Sequence, residues 1–302
     1  LEKVRKICED NNIEFHYVNL QEEFYKDVIL PFADFYLKGL TPNICSYCNA
    51  EFKIEKLLQY AENFSCNYIA TGHYARKKAS LIGIAKDSWK DQSFMLYRLS
   101  EKQREKLLLP LGQKMKDEVK NFVQQCGYEE IANKRESFGL CFTNGKHYSE
   151  FLLEKYPELK KLENGKVFNK NNQVIGTHKG YPFYTIGQYK GLNCEGKQYI
   201  NKIIAEENAI FVGEKSECYF STLRLNSLVF SQNIENIKKD TPYLTKIRGK
   251  DEGSFATLRE ISSNHSIIEF SQRIFAPMQG QDVVVYDENN FILFGGRIES
   301  FS

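Results

Sequence analysis

Two cysteines three positions apart, Cys45 and Cys48, stand directly ahead of a run, 49–64, whose apolar residues recur at helical spacing. A thiol at a helix N-terminus faces the positive end of the helix dipole and exposed backbone N–H groups. Both favour thiolate and make a nucleophile at neutral pH. A third cysteine, Cys141, lies in Ser137-Phe138-Gly139-Leu140-Cys141-Phe142, where Gly139 loosens the backbone and the neighbours are apolar. Spacing alone leaves four readings open: half of a zinc site completed at unusual spacing by Cys141 and His147, a thioredoxin-like redox pair, plain buried thiols, or a catalytic pair. Cys8, Cys66 and Cys126 fall on or beside apolar faces and are expected in the core, whereas Cys194 and Cys218 have no motif around them.

The elements that must position these thiols follow from periodicity. In the 49–64 helix, Ile54, Leu57, Leu58, Ala61 and Phe64 share a face, with Lys53, Glu55, Lys56, Gln59 and Glu62 elsewhere. Tyr68-Ile69-Ala70-Thr71 reads as a buried parallel strand ended by Gly72-His73. Upstream, a helix carrying Leu1, Val4 and Cys8 stops at Asn11-Asn12; a strand is expected over 13–20, a helix over 22–33 and a loop over 39–43. A helix at about 113–126 is expected to turn Val119, Phe122, Val123 and Cys126 inward and to stop at Gly127. Strands alternating with helices up to about residue 130 imply a parallel α/β sheet. From Gly165 onward short strands and turns dominate. The last stretch pairs 255–261 with 266–270 and 282–286 with 291–294, as a small antiparallel barrel or sandwich.

A chain of 302 residues suggests two or three domains, expected at 1–144, 145–220 and 221–302. With 26% charged and 42% hydrophobic residues the composition excludes a disordered chain. No apolar run approaches the length of a membrane span, and no secretory leader opens the sequence. A net charge of +2 does not announce a nucleic-acid partner; basic residues would have to be gathered on one face. Eight cysteines without regular spacing point to reduced thiols and a cytoplasmic protein. The chain begins at Leu1 inside a helical pattern, without Met, and the natural protein is expected to extend further upstream.

Six segments occur in a fixed order: Thr41-Pro42-Asn43-Ile44-Cys45-Ser46-Tyr47-Cys48-Asn49; Ala70-Thr71-Gly72-His73-Tyr74-Ala75-Arg76; Lys90-Asp91-Gln92-Ser93; Leu109-Pro110-Leu111-Gly112; Gly139-Leu140-Cys141-Phe142; and Tyr184-Thr185-Ile186-Gly187-Gln188 followed by Lys190-Gly191-Leu192. Together they resemble the tRNA-specific 2-thiouridylase family. The resemblance implies a partial adenine-nucleotide-hydrolase-like parallel α/β sheet as catalytic domain, a small β-rich central domain that binds tRNA, and a C-terminal antiparallel β-barrel. It makes Cys48 the nucleophile and Cys141 the carrier of a persulfide. Gly72 would touch ATP, at the carboxyl end of its strand. Asn43, Ile44 and Cys45 would line the pocket for a flipped base, on which Tyr47 could stack, and His73, Lys90, Asp91, Gln92, Arg248, Gly249 and Gln281 would contact tRNA.

The implied reaction activates O2 of the wobble uridine as an adenylate, with ATP and Mg²⁺. Sulfur is then delivered to C2 from Cys141–S–SH, either as sulfide released by Cys48 or by direct attack with Cys48 resolving the adduct. The implied partners are tRNAs of the Lys, Glu and Gln type and a persulfide-donating relay protein or cysteine desulfurase. The sequence departs from the family in several places. No SGGVDSS pyrophosphate loop occurs, so about the first sixty residues of a typical member are expected to be missing. Cys45 stands where many members have Asp, Tyr189 where Arg is usual, Phe142-Thr143-Asn144-Gly145 where FIGER is usual, and Gly249 where an aromatic or basic residue is usual. Two other readings remain: a non-catalytic tRNA-binding remnant, and a zinc-stabilised module built on Cys45 and Cys48. Residue by residue, His73 could be a strand-end histidine, Lys90 and Asp91 a solvated pair, and Arg248 an exposed strand residue.

Overall fold

The computed structural model describes residues 1–134 and 139–302; Ser137 and Phe138 of the Cys141 segment lie outside the described residues. The cysteine-bearing helix is longer than its apolar stripe predicts. It runs without a break from Ile44 to Asn63, as an α-turn (Ile44–Tyr47), a π-helical stretch (Cys48–Lys53) and a regular α-helix (Ile54–Asn63). Its burial is two-sided. Ile44 and Phe52 enter a cluster with Phe32, Phe151 and Leu152, while Ala50, Ile54, Leu58 and Ala61 enter a second with Phe94, Leu96 and Tyr97. The π stretch shifts the burial face between those clusters. Inside it, Gln103 Nε2 donates to the Ala50 carbonyl at 2.7 Å and Asn49 Nδ2 donates to the Met95 carbonyl at 3.1 Å. Leu57 and Phe64, expected on the buried face, are exposed.

Other expectations for the first domain need correction. Residues 13–20 form no strand; they pair with no described strand, and Ile13, Tyr17 and Val18 are exposed. The helix expected over 22–33 extends over Gln21–Leu37, again through a π turn at Tyr25–Ile29. The helix expected over 113–126 spans Lys116–Gln125 and buries nothing; Phe122 lies open because no described element covers that face. Cys66 and Cys126 are exposed and Cys8 half-buried, so none is a core thiol, whereas Cys218 is fully buried. The parallel sheet is two strands wide among the described residues, Ile69–Ala70 beside Leu107–Leu108.

The β-rich remainder follows the hairpin pattern read from sequence. A five-stranded sheet is ordered Asn193–Cys194, Val174–His178, Gly165–Phe168, Ala209–Gly213, Tyr199–Ile204, and shares the first cluster through Val167, Ile200 and Ile210. A closed six-stranded antiparallel barrel follows, ordered Tyr219–Phe230, Ser266–Phe275, Ser254–Ile261, Pro242–Lys246, Asp282–Tyr286, Ile292–Phe301. All five residues of Asp282–Tyr286 are buried. Alternation explains this: Val283 and Val285 face the barrel interior, while Val284 and Tyr286 face the cluster of the cysteine helix. The barrel is therefore one wall of the core that the cysteine helix packs against.

Gly295 makes that contact possible. A Cβ there would stand 2.3 Å from the ring of Tyr97, which is wholly buried and cannot swing away. Gly295→Ala is expected to cost about 1–3 kcal/mol by overpacking, read as a lowered midpoint in denaturant unfolding.

Candidate functional site

The first turn of the cysteine helix is fixed from outside its own domain. Asp282, from the barrel, is wholly buried beneath it. Its carboxylate accepts from Asn43 Nδ2 at 3.0 Å, from Ser46 Oγ in a short hydrogen bond, and from Tyr97 Oη at 2.8 Å. Arg98 donates in turn to Tyr97 Oη at 3.2 Å. Burial pushes the Asp282 carboxyl up; the Ser46 and Tyr97 hydroxyls and the guanidiniums of Arg98 and Arg297 pull the other way. Asn43 and Tyr97 donate to it, while the single Ser46 Oγ proton is shared between Asp282 and the Asn43 carbonyl 2.9 Å away. Asn43 and Ser46 point inward to this anchor, and Cys45 between them is left exposed.

Cys141 is brought to the same place by its neighbours. Leu140 and Phe142 pack against the cluster that also receives Tyr47 and Cys48. The Phe142 ring lies 5.1 Å from Phe32, 5.1 Å from Phe151 and 6.1 Å from Phe24, centre to centre. A turn closed by Thr143 N donating to the Leu140 carbonyl at 3.2 Å, with Thr143 Oγ1 donating to the same oxygen at 3.0 Å, holds Cys141 at its exposed corner. Asn144 and Gly145 continue it with φ of 51° and 80°. Such left-handed geometry suits Asn and Gly. Cys141 lies close enough to Cys45 and Cys48 to raise both of their thiols.

The reactivity expected of Cys48 is reversed in this state. Its amide already donates to the Ile44 and Cys45 carbonyls, so it sits past the exposed end of the helix. Burial pushes its thiol up to about 11; Lys53 pulls it down, and Cys141 and Cys45 push it further up. Burial is also the first cause raising Cys45, although that residue keeps solvent contact, with Cys141 and Asp282 adding to it and Lys53 opposing. His73 is pulled down to about 4 by burial and then by Lys53, so it is neutral at pH 7, and its Nδ1 shares a 2.8 Å hydrogen bond with Thr71 Oγ1. Lys53, read from sequence only as a solvent-side residue, is thus the cation common to both helix cysteines and His73.

A second group of expected residues converges on a cavity of about 1080 Å³, lined among others by Gly72, Trp89, Lys90, Asp91, Gln92 and Gly249. Gln92 clamps the loop after the parallel strand: its N donates to the Tyr74 carbonyl at 2.7 Å and its Oε1 accepts from Tyr74 N at 3.0 Å. Asp91 is no solvated surface residue. Its carboxylate accepts from Ala85 N, Ser93 N and Ser93 Oγ and pairs with Lys246 Nζ at 3.0 Å, both side chains being buried. Arg248 donates its guanidinium to the Phe275 and Ala276 carbonyls and is pulled down by burial. Gln281 is half-buried beside Asp282 and joins the turn from Met278. A zinc reading finds no support: among the described residues no group of three or more His, Cys, Asp or Glu side chains could hold a metal, and His147 Nδ1 is hydrogen-bonded to Ser149.

Sequence reasoning missed Asp282, Lys53 and Lys246. For Asp282 a signal was present: a charged residue heads the otherwise apolar Val283-Val284-Val285-Tyr286 run. Lys53 and Lys246 carry none, since each matters only through neighbours distant in sequence.

Family models match 1–145, described as a tRNA methyl transferase HUP domain, and 149–214, described as a tRNA methyl transferase PRC-barrel domain. Among curated relatives, tRNA-specific 2-thiouridylase MnmA 1 of Clostridium tetani is 35% identical over 309 residues, covering 99% of this chain and 83% of the relative. This chain belongs to the tRNA-specific 2-thiouridylase family. Family proteins named tRNA-specific 2-thiouridylase MnmA from Natranaerobius thermophilus and Cytophaga hutchinsonii are 34% and 33% identical, over 97% and 94% of this chain and 81% and 79% of their own lengths. The two domain families are named for methyl transfer and the relatives for thiolation; the relatives that span nearly the whole chain decide the family's name.

Two outcomes are expected. Because the Cys48 thiol is pushed up to about 11, it is protonated at pH 7, and its alkylation by iodoacetamide should accelerate about tenfold per pH unit from pH 7 to 9; a plateau below pH 8 in peptide mass mapping would contradict the burial argument. Asp282→Ala leaves Asn43, Ser46 and Tyr97 facing an empty buried site and should cost about 3–5 kcal/mol, measured by denaturant unfolding, with Asn43→Ala costing much less.

Proposed function

We propose that this protein is a tRNA 2-thiouridylase, a sulfurtransferase that moves persulfide sulfur onto C2 of the wobble uridine of tRNA (U34). The observation that carries the reading is the shared seat of Cys48 and Cys141. The turn bearing Cys141 is pinned through Leu140 and Phe142 into the apolar cluster that holds Cys48. All eight cysteines are unpaired in this state, which leaves both thiols available and favours a cytoplasmic site of action.

In this reading Cys141 carries the transferable sulfur as Cys141–S–SH. Cys48, once deprotonated, attacks the Cys141 sulfur. A Cys48–Cys141 bond forms, the persulfide S–S bond breaks, and sulfide leaves with the bonding pair to add at C2. In the other route the terminal sulfur attacks C2 first and Cys48 then resolves the adduct at Cys141. Both demand that Cys48 lose its proton when tRNA is in place; Lys53 favours the thiolate, and burial holds it back beforehand. Of the three residues assigned to the base pocket, Cys45 presents its side chain outward, while Ile44 is buried and Asn43 is held by Asp282. Asn43 and Ile44 would therefore shape the pocket rather than read the base.

ATP fits at Gly72 in one respect: the glycine is exposed at the carboxyl end of a parallel strand, and a Cβ there would meet nothing nearer than Leu111 at 3.9 Å. When bound, ATP supplies the activation that makes uridine O2 a leaving group. No pyrophosphate-gripping SGG-x-DS segment occurs within the 302 residues. Mg²⁺ would ride on phosphate oxygens, as it does where the protein offers few ligands.

For tRNA, Lys90, Gln92 and Gly249 line one cavity, and His73, neutral at pH 7, suits a base edge better than a phosphate. Asp91 and Arg248 would act by holding the cavity's wall. Gln281 would reach tRNA from beside the Asp282 anchor. We divide the chain at 1–144, 145–220 and 221–302, supported by the family-model limits and by a barrel whose first strand begins at Tyr219. The remaining partners, tRNAs of the Lys, Glu and Gln type and a persulfide donor such as a relay protein or cysteine desulfurase, belong to the same proposal. No helix among the described residues is long and apolar enough to cross a membrane.

Cys48→Ser and Cys141→Ser should each abolish 2-thiouridine formation, measured on isolated tRNA by nucleoside mass spectrometry, with tRNA binding changed less than about threefold. Thiolation by either variant at a near-native rate would refute the two-cysteine mechanism.

A further inference from the structure

Lys53 is exposed, and among the described residues it forms no hydrogen bond or ion pair. The π turn sets its direction. Ile54 N donates to the Asn49 carbonyl five residues back, the bond that distinguishes such a turn. Residues five apart then stand one above the other, as residues four apart do in an α-helix. Lys53 therefore lies one turn beyond Cys48 on the same side, where a regular helix would carry it about 140° away. Asn49 and Gln103 brace the turn by donating to the Met95 and Ala50 carbonyls.

The same stretch of helix packs on the strand that leads to Gly72 and His73. Ala50 and Ile54, on either side of Lys53, share a core cluster with Ile69 and Ala75, on either side of Gly72 and His73. The ammonium thus stands at the seam between the cysteines and the Gly72–His73 loop. It acts on Cys45 and Cys48 along the helix and on His73 across the seam. The other titratable groups that act on the Cys48 thiol are Cys141, from the facing turn, and Cys45; Asp282, from the barrel, acts on Cys45.

The reaction proposed above brings two anions to one carbon. Sulfur reaches C2 as an anion. As the S–C2 bond forms, the C2–O bond breaks, and its electron pair leaves on the phosphate-bearing oxygen. Like charges oppose that approach, and a preorganised cation where they meet stabilises the transition state. We infer that Lys53 is a catalytic residue for sulfur transfer, its ammonium stabilising the sulfur anion on the cysteine side and the departing phosphate on the Gly72–His73 side. It acts as a fixed charge and hydrogen-bond donor and gives up no proton. The phosphate half rests on the thiouridylase reading; the sulfur half concerns the free protein.

Two rates test this, each followed from pH 7 to 9: alkylation of Cys48 by iodoacetamide without tRNA or ATP, and 2-thiouridine formation at saturating tRNA and ATP. Lys53→Gln should slow the alkylation at pH 8 by about 3- to 10-fold and remove its sensitivity to added salt. It should lower kcat by about 100-fold or more, well beyond the alkylation loss at the same pH, with the KM for tRNA and the thermal unfolding midpoint unchanged. Lys53→Met, which keeps the stem without the charge, should behave alike, and Lys53→Arg should restore most of both rates. Alkylation of Lys53→Gln at the wild-type rate would overturn the sulfur half. A kcat that falls only as far as the alkylation rate would overturn the phosphate half, and either result sinks the shared cation. If the wild-type protein forms no 2-thiouridine, the phosphate half falls together with the thiouridylase reading, while the alkylation rates still decide the sulfur half.

Discussion

A single buried carboxylate ties the sulfur chemistry to the far end of the chain. Asp282 belongs to the barrel, yet its hydrogen bonds go to Asn43, Ser46 and Tyr97 of the first domain. A carboxylate taken out of water is stable only while its donors stay in place. The first turn of the cysteine helix therefore cannot shift without stranding that buried carboxyl group, and the barrel cannot rotate away without exposing Val284 and Tyr286. The barrel thereby acts as a positioning wall for the turn that carries Cys45 and Cys48.

The thiols are restrained in the state described. Burial keeps Cys48 protonated, and Lys53 is the counterweight that makes ionisation attainable. A thiol that is neutral at rest is protected from oxidants and stray electrophiles, since thiolate character governs both. Closer approach of the Lys53 ammonium is the local change that would favour its ionisation.

Legibility divided along a physical line. The barrel hairpins were readable because alternation and turns are local, and the chemistry-bearing segments because their residue types are specific. The two-sided burial of the cysteine helix was not, because a helix between two cores shows a broad apolar face that resembles an ordinary stripe. The strand expected over 13–20 and the inward face of Lys116–Gln125 failed for the complementary reason: pattern promises an apolar face, and only a packing partner can bury it. Asp91 reads as a surface residue until Lys246, 155 positions away, is set against it. The helix-terminal placement of Cys48 failed because the helix starts earlier, at a turn whose inward residues are polar and bind Asp282.

The π-helical stretch at Cys48–Lys53 carries an evolutionary implication. A wider turn amounts to one residue more than a regular helix would hold, and it sets the angular phase between the sulfur and the Ile54-Leu58-Ala61 ridge. Losing any one residue there would heal the helix and leave its hydrogen bonding better, while turning the thiol by about 100° relative to that ridge. Length in this short interval is therefore under stricter constraint than residue identity, and insertions or deletions should be purged from it even where substitutions accumulate freely.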